Sequence, residues 1–370
     1  MTSSRARVRK KRNKVLEDQT TISDLLPTDL LMDILKLLPA KTLVRFLCVS
    51  KLWSSIIRRK DFKKLFLTES SNRPHRLFFI SPQDEDKDKD CVLFSLETDD
   101  SGEALIAAYH KTHLPYPYTY DAAHVRDMIC FRADFTYEDL VVYNNSTRRS
   151  ITLPKLDSQS FVVTHFLSYD PIDDVYKVLC MTRLKNTTEW KLVFEHTYRP
   201  TNYGICINGV LYYLVYGDKK TMHRIFVVSF DVRSENFDLI NIPDEVSAHL
   251  LSSTIMIRYE GKLAFMYTYI HSEGTLVLWV LEDAMKHEWL KKIFEFCNLL
   301  PLHLHNQYRF VDFNDAGEFV LAVLYWCEPP YYVYYYDPKR NSLRKVPITG
   351  LRWPFPTYLF TSQVESLMFL

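Results

Sequence analysis

From about Arg76 onward the sequence punctuates itself at intervals of roughly fifty residues, and this period limits the possible folds more than any other feature of the chain. Prolines that follow a short strand-like run stand at Pro154, Pro200, Pro243, Pro301 and Pro347, separated by 46, 43, 58 and 46 residues. Three of them close one pattern: Tyr143-Asn144 leads to ITLP, Phe230-Asp231 to INIP, and Tyr336-Asp337 to KVP, with the proline ten, twelve and ten residues after the Asn or Asp. In each, a strand ends at an aromatic residue, Asn or Asp opens a turn, and a second strand runs to the proline. Glycine marks another recurring point. Asn208-Gly209 precedes VLYYLV, Glu260-Gly261 precedes KLAFMY, and Ala316-Gly317 precedes EFVLAVLYW, at separations of 52 and 56. With only eight glycines in 370 residues, three so placed read as hairpin turns that need a positive φ. The 24 Tyr and 23 Phe favour strands. Each unit reads as strand, Gly turn, strand, Asn/Asp turn, strand, and there is room for about six. That is the strand economy of a β-propeller; a β-sandwich with evenly spaced turns is the alternative.

A stretch of different character precedes the repeats: LPTDLLMDILKLLPAKTLVRFLCVSKLWSSIIRRKDF, Leu26 to Phe62. Leu30, Leu31, Ile34, Leu35, Leu37 and Leu38 make two adjoining stripes on a helix instead of one. Pro39 stops that helix and, with Ala40, opens a second ending near Phe46. Ser50 is the N-cap of a third run carrying Leu52, Trp53, Ile56 and Ile57. From Lys63 to Asn72 the sequence thins into a polar connector. Three short helices cannot bury this much apolar surface among themselves. A partner protein that receives the surplus is one explanation, and a helical cap packed on its own downstream domain is the other.

The run Leu26-Pro27, Leu30, Ile34-Leu35, Leu38-Pro39, Leu43, Arg45-Phe46, Val49-Ser50-Lys51 and Trp53 resembles an F-box, the module that binds the Skp-family adaptor of SCF ubiquitin ligases. The resemblance implies that Leu26, Pro27, Leu30, Ile34 and Leu38 lie against the adaptor, with Leu43, Val49 and Trp53 shared between adaptor contact and internal packing. It asks no residue to do chemistry. From about Arg76 on, FLSYDPIDDVYKVLCMT (Phe166 to Thr182), YGICINGVLYYLV (Tyr203 to Val215), FDVRSENFDLINIP (Phe230 to Pro243), EGKLAFM (Glu260 to Met266), LWVLEDAMKHEWLKKIFEF (Leu278 to Phe296) and GEFVL (Gly317 to Leu321) resemble the F-box-associated domain of the large plant F-box families, a propeller related to Kelch. Kelch double glycines are absent. Arg126-Asp127-Met128-Ile129 replaces the family's Gly-rich turn in the early unit, which predicts a looser hairpin there. The acidic runs Asp84 to Asp90 and Asp99 to Glu103 read as exposed loops.

Charge and cysteine usage narrow the partners. Net charge is +1, but Arg5, Arg7, Arg9, Lys10, Lys11, Arg12 and Lys14 supply seven positive charges before residue 15, so the remainder carries −6. The bulk of the chain is not a basic nucleic-acid binder. The tail, residues 1 to about 20, lacks apolar periodicity and reads as disordered; it suits either a nuclear-import signal or no function beyond solvation. Seven scattered cysteines without a C-x-x-C argue for reduced thiols in nucleus or cytoplasm. No apolar run approaches a membrane span. No P-loop, G-x-G-x-x-G, G-x-S-x-G or H-E-x-x-H occurs. Cys206, between Gly204 and Gly209, reads as a buried thiol and not a nucleophile; His303 and His305 lack a third metal ligand; Trp190, Trp279, Trp289 and Trp326 read as blade cores.

The sequence thus predicts a mainly β chain with a small N-terminal α module: a basic tail (1–20), a three-helix F-box (21–66) and a propeller of about six blades (67–370). It implies a non-catalytic substrate receptor of an SCF-type ligase, with the adaptor, cullin through it, and a target protein as partners, and no metal or cofactor. An adaptor-binding protein outside any ligase and a propeller enzyme with an appended F-box are the alternatives. Ring closure should use both ends of the repeat region. The strand-like VESLMFL, Val364 to Leu370, is expected in the first blade beside RLFFIS and CVLFSLE, with Leu367, Phe369 and Leu370 buried there.

Overall fold

The computed structural model describes residues 26–73, 76–82, 90–98, 105–115, 123–132, 139–154, 160–184, 190–191, 199–217, 224–249, 254–269, 275–295, 308–323, 330–349 and 358–370. The basic tail, nearly all of both acidic runs, Pro301, His303, His305 and Trp326 lie outside the described residues.

Helices α1 (Thr28–Leu35), α2 (Ala40–Phe46) and α3 (Lys51–Arg58) follow the proline and serine signals closely. Pro27 and Pro39 stand at the N-caps of α1 and α2. Ser50 Oγ accepts from the Leu52 N–H at 3.1 Å, which satisfies one of the orphan donors at the start of α3. The stretch after Phe62 departs from expectation. It is no connector but a fourth helix, α4 (Lys60–Ser71), on which Phe62, Phe66 and Ser70 recur every four residues and are buried. Leu65 packs beside them on the helical core, and the lysines and hydroxyls around this stripe hide its period. The helices share a core of Leu31, Met32, Leu35, Ala40, Leu43, Ile56, Ile57, Phe62 and Phe66.

The remainder is built from antiparallel meanders. Four stand as separate sheets. They are β4–β7 (Ala123–Val125, Met128–Arg132, Leu140–Asn144, Arg149–Thr152), β8–β10 (Ser160–Asp170, Val175–Leu184, Trp190–Lys191), β11–β14 (Arg199–Ile207, Val210–Tyr216, Ile225–Asp231, Phe237–Asn241) and β15–β18 (Ile255–Tyr259, Lys262–Tyr269, Thr275–Asp283, Glu288–Glu295). A short helix, α5 (Asp244–His249), connects the last two. The fifth sheet has eight strands and is two such units side by side: β19–β22 (Tyr308–Phe313, Phe319–Val323, Tyr331–Asp337, Ser342–Thr349), and β1–β3 (Arg76–Pro82, Asp90–Thr98, Leu105–Pro115) completed by β23 (Tyr358–Gln363). The two are joined by a short parallel pairing, Ile348 with Leu105 and Thr349 with Ile106. First strands of successive units lie side by side, β4 with β8, β8 with β11, β11 with β15, β15 with β19, and β19 with β23. This is a propeller arrangement.

Closure differs in detail from the sequence expectation. A strand from the end of the repeat region does complete the unit begun at its start, but that strand is β23, where Phe360 pairs with Phe78 and Leu359 with Phe79. Residues 364–370 leave the sheet, so Leu367, Phe369 and Leu370 are not in that blade. Their side chains go elsewhere, as described below.

The turns show why the sequence has its period. Asp170, Asp231, Asp283 and Asp337 each accept backbone N–H bonds from residues two and three positions on, and Asn144 from Thr147, three on. Four residues after each stands a non-glycine with positive φ: Arg148, Asp174, Glu235, His287 and Asn341. The side-chain acceptor fixes the turn firmly enough to hold that left-handed residue. Gly209 and Gly261, with φ of +85° and +80°, complete two-residue hairpins behind Asn208 and Glu260, themselves at 51° and 50°. Those angles are the type I′ geometry that matches strand twist. The early hairpin is not looser: Val125 pairs directly with Met128 across Arg126-Asp127, and Arg126, at φ 57°, lies 4.0 Å over the Tyr169 ring.

Both glycines are strained by any side chain, but only one is also crowded. A Cβ at Gly209 would sit 3.0 Å from Pro171 Cδ, whereas at Gly261 the nearest atom is 3.8 Å away. Each Gly→Ala change should cost about 1 kcal/mol for the left-handed backbone, with Gly209→Ala costing distinctly more. Urea unfolding midpoints of the two variants check this; equal losses would contradict the contact with Pro171.

Candidate functional site

Helix α1 carries its two stripes on two faces. Leu31, Met32 and Leu35 enter the helical core, while Leu30 and Ile34, one turn apart, are 45% and 46% exposed. Leu37, in the turn after α1, and Val49, in the turn before α3, are 62% and 65% exposed. Of the other residues singled out from the sequence, Pro27 is exposed, and Leu26 and Leu38 are half-buried against the core. Trp53 is half-buried, its ring 4.5 Å from that of Phe46. Leu43 is fully buried, so of the two parts expected of it the fold uses packing. Leu37 was absent from the sequence-based set, although it lies in the same outer stripe. A shallow cleft of about 460 Å³ opens beside Val49, between the end of α2 and α3.

The segment 364–370 lies beneath this face and holds it to the propeller. Leu367, 1% exposed, is part of the helical core, and Leu370 packs against it. Met368 and Phe369 pack instead on a propeller cluster that includes Val125, Met128, Leu167 and Tyr169, where Leu67 of α4 joins them. Polar groups fasten both sides. Toward the helices, Glu365 Oε2 lies 3.1 Å from Arg73 Nη1 and accepts from the Ala40 N–H at 3.3 Å, and Lys63 Nζ donates to Leu370 O at 2.8 Å. Toward the propeller, Asn144 Nδ2 donates to Ser366 Oγ and Met368 O at 3.1 and 3.2 Å. Thr147 Oγ1 donates to Met368 O at 3.2 Å, and Arg149 Nη1 to Phe369 O at 2.8 Å. The division expected between residues 66 and 67 falls inside α4, whose Phe66 packs on the helices and Leu67 on the propeller.

Asp127 anchors the segment from below, accepting the Ser366 N–H on Oδ2 at 2.8 Å. Burial pushes its carboxyl up to about 6, against the opposing pull of hydrogen bonds from Ser146 and Ser366. Oδ1 is buried without a hydrogen-bond partner among the described residues.

Groups that might have suggested chemistry are packed and neutral. The Cys206 thiol is raised by burial, bonds with the Tyr169 backbone and touches two apolar clusters. His165, buried with Nε2 3.1 Å from Cys130 O, is lowered to about 4 by burial and stays uncharged at neutral pH. Trp279 and Trp289 pack on a blade core. Among the described residues no group of three or more His, Cys, Asp or Glu is placed to hold a metal, and no helix is long and apolar enough to cross a membrane.

Known proteins match both parts. The F-box domain profile matches residues 24–65, and the profile of the F-box associated beta propeller domain matches residues 64–366. F-box protein At2g21930 of Arabidopsis thaliana is 36% identical, over 98% of this chain and 99% of its own length. Putative F-box protein At5g44220 of the same plant is also 36% identical, over all of this chain and 88% of its own. Among solved structures, an oligogalacturonate lyase from Vibrio parahaemolyticus is 11% identical, covers 74% of this chain and 86% of its own, and superposes with a TM-score of only 0.32. The chain belongs to the F-box proteins that carry an F-box-associated propeller domain.

The raised carboxyl of Asp127 has a measurable consequence. Between the ordinary value of 3.8 and about 6 the folded chain keeps a proton that the unfolded chain has released, so this group's contribution to stability falls as pH rises through that window. Asp127→Asn keeps an acceptor for the Ser366 N–H and cannot ionise. Its urea midpoint relative to the unsubstituted chain should therefore improve steadily from pH 4 to pH 7; a constant difference would contradict the burial of Asp127.

Proposed function

We propose that this protein is the substrate-recognition subunit of an SCF-type E3 ubiquitin ligase. The observation that carries the reading is the outer face of α1, where Leu30 and Ile34 stay exposed on a helix whose opposite face is already buried, in a chain of the F-box family. Burying such a face on a partner removes apolar surface from water at about 25 cal/mol per Å², and an F-box partner is a Skp-family adaptor. Leu26, Pro27, Leu30, Ile34, Leu38, Val49 and Trp53 are the proposed contacts, with Leu37 added and Leu43 supporting them from inside. Cullin joins through the adaptor. The F-box takes residues 21–66, the propeller 67–370, and the protein works in nucleus or cytoplasm.

The target is assigned to the propeller face turned away from the helices. In a meander, alternate connections leave opposite ends of the strands. The β4–β5 and β6–β7 turns, with Asp127, Asn144 and Thr147, meet the segment 364–370 beside the helices. Strands β5, β12, β16 and β20 therefore run toward the far side of the propeller, and the face at their C-terminal ends is the one we assign to the target. Holding a target there beside a ubiquitin-loaded conjugating enzyme makes transfer to its lysines effectively intramolecular, and the receptor itself needs no catalytic group.

Leu30→Ala together with Ile34→Ala should leave the fold intact, since both side chains are exposed, yet abolish co-purification with the adaptor. Each truncation at the centre of a desolvated interface costs about 2 kcal/mol or more. Adaptor retained by a double variant with an unchanged melting curve would refute the docking reading. Adaptor bound without cullin would favour a role outside a ligase.

A further inference from the structure

The turn Lys36–Pro39 carries the exposed Leu37, yet much of what holds it comes from distant parts of the chain. The last carbonyls of a helix have no following N–H within the helix to accept from. Here Lys36 O, at the C-cap of α1, and Leu38 O, farther along the turn, accept from Arg73, at 2.6 Å from Nη2 and 3.4 Å from Nη1. The same guanidinium meets Glu365 at 3.1 Å, and Glu365 in turn accepts the first N–H of α2, that of Ala40, at 3.3 Å. One ion pair thus brackets the turn on both sides.

Neither residue belongs to the stretch matched as an F-box, residues 24–65. Arg73 lies just beyond α4, its guanidinium 5.5 Å from the centre of the Phe66 ring. Glu365 is fixed from the propeller side, because Val364 and Ser366 on either side of it are buried and the Ser366 N–H is bonded to Asp127. The pair is itself largely shielded, with side chains 26% and 11% exposed, so removing one partner leaves the other poorly compensated. The position of the turn is therefore set by the propeller as well as by the helices.

We propose that Arg73 and Glu365 are positioning residues for the adaptor-docking turn, and that through them adaptor affinity depends on the seating of the segment 364–370 on the propeller. The proposal rests on the docking reading above. A turn that must be ordered on binding gives up part of its interaction free energy, and a turn ordered beforehand does not. Coupling of this kind is reciprocal, so the adaptor must steady the segment to the same degree that the segment helps the adaptor. F-box helices cut from the propeller would then hold the adaptor less tightly than the whole chain does.

The test uses the full chain with Glu365→Gln, which keeps the shape and loses the charge, and Arg73→Lys, which keeps the charge and loses the fork. Hydrogen exchange of the free protein is read at the amides of Lys36, Leu37, Leu38 and Ala40. Adaptor affinity is read with a purified Skp-family adaptor. Both variants should exchange faster at these amides and bind the adaptor about tenfold more weakly, roughly the loss of one charge-assisted hydrogen bond. In the unsubstituted chain, bound adaptor should slow exchange at Ser366 and Met368, a response that Glu365→Gln should lose. Unchanged exchange at the turn in both variants overturns the bracing, with no reference to the adaptor. Faster exchange with undiminished affinity overturns the coupling. If the unsubstituted chain fails to bind the adaptor at all, the docking reading falls with the coupling, and the exchange result separates that failure from a failure of the bracing.

Discussion

Seven residues, Val364 to Leu370, join two folds that each leave apolar surface uncovered. About 45 residues of helix form a core too small to bury its own side chains fully, and Leu367 enters it as though it belonged to the bundle. Two residues further on, Phe369 lies in the propeller with Met368 and with Leu67 of α4. A seam in which one segment contributes to both cores leaves little freedom for hinge motion, because either side can move only by opening the other. In the receptor role proposed above, that rigidity would be useful, because it would hold a target at a set distance from the transfer enzyme.

The ring depends on the same end of the repeat region. Without β23, strand β1 would present unpaired N–H and C=O groups to water, and β19 would lose one of its two neighbours in the inner ring. Because β23 leads straight into the segment 364–370, closing the ring also delivers that segment to the helices. Asp127 sits where the two tasks meet. Its burial is unfavourable for the charged form at neutral pH, and it persists in a position where it accepts the Ser366 N–H.

What was legible in the sequence was what local chemistry dictates. Gly209, Gly261 and Gly317 announced positive φ, and Asn144, Asp231 and Asp337 announced Asx turns, because each motif needs only its own few residues. Asp170 and Asp283 make the same turn, but no proline stands ten to twelve residues beyond either to mark it. Helix α4 escapes a sequence reading because Phe62, Leu65, Phe66 and Leu67 are divided between two cores and interrupted by lysines and hydroxyls. The second stripe of α1 pointed correctly to an unburied face at Leu30 and Ile34. The segment 364–370 was misplaced because alternating apolar residues suggest a strand, whereas pairing is decided by partners far along the chain. Phe369, at φ 68°, interrupts any strand there, and its backbone oxygen is taken by Arg149, more than two hundred residues away.

If helices and propeller share a core through this segment, they should unfold together. Scanning calorimetry of the full chain is the most direct measurement. A shared core requires a single cooperative transition, with calorimetric and van't Hoff enthalpies in agreement, and substitution of Leu367 by Asp should split it into a smaller helical transition and a larger β one. Two separate transitions in the unsubstituted chain, unaffected by that substitution, would contradict it.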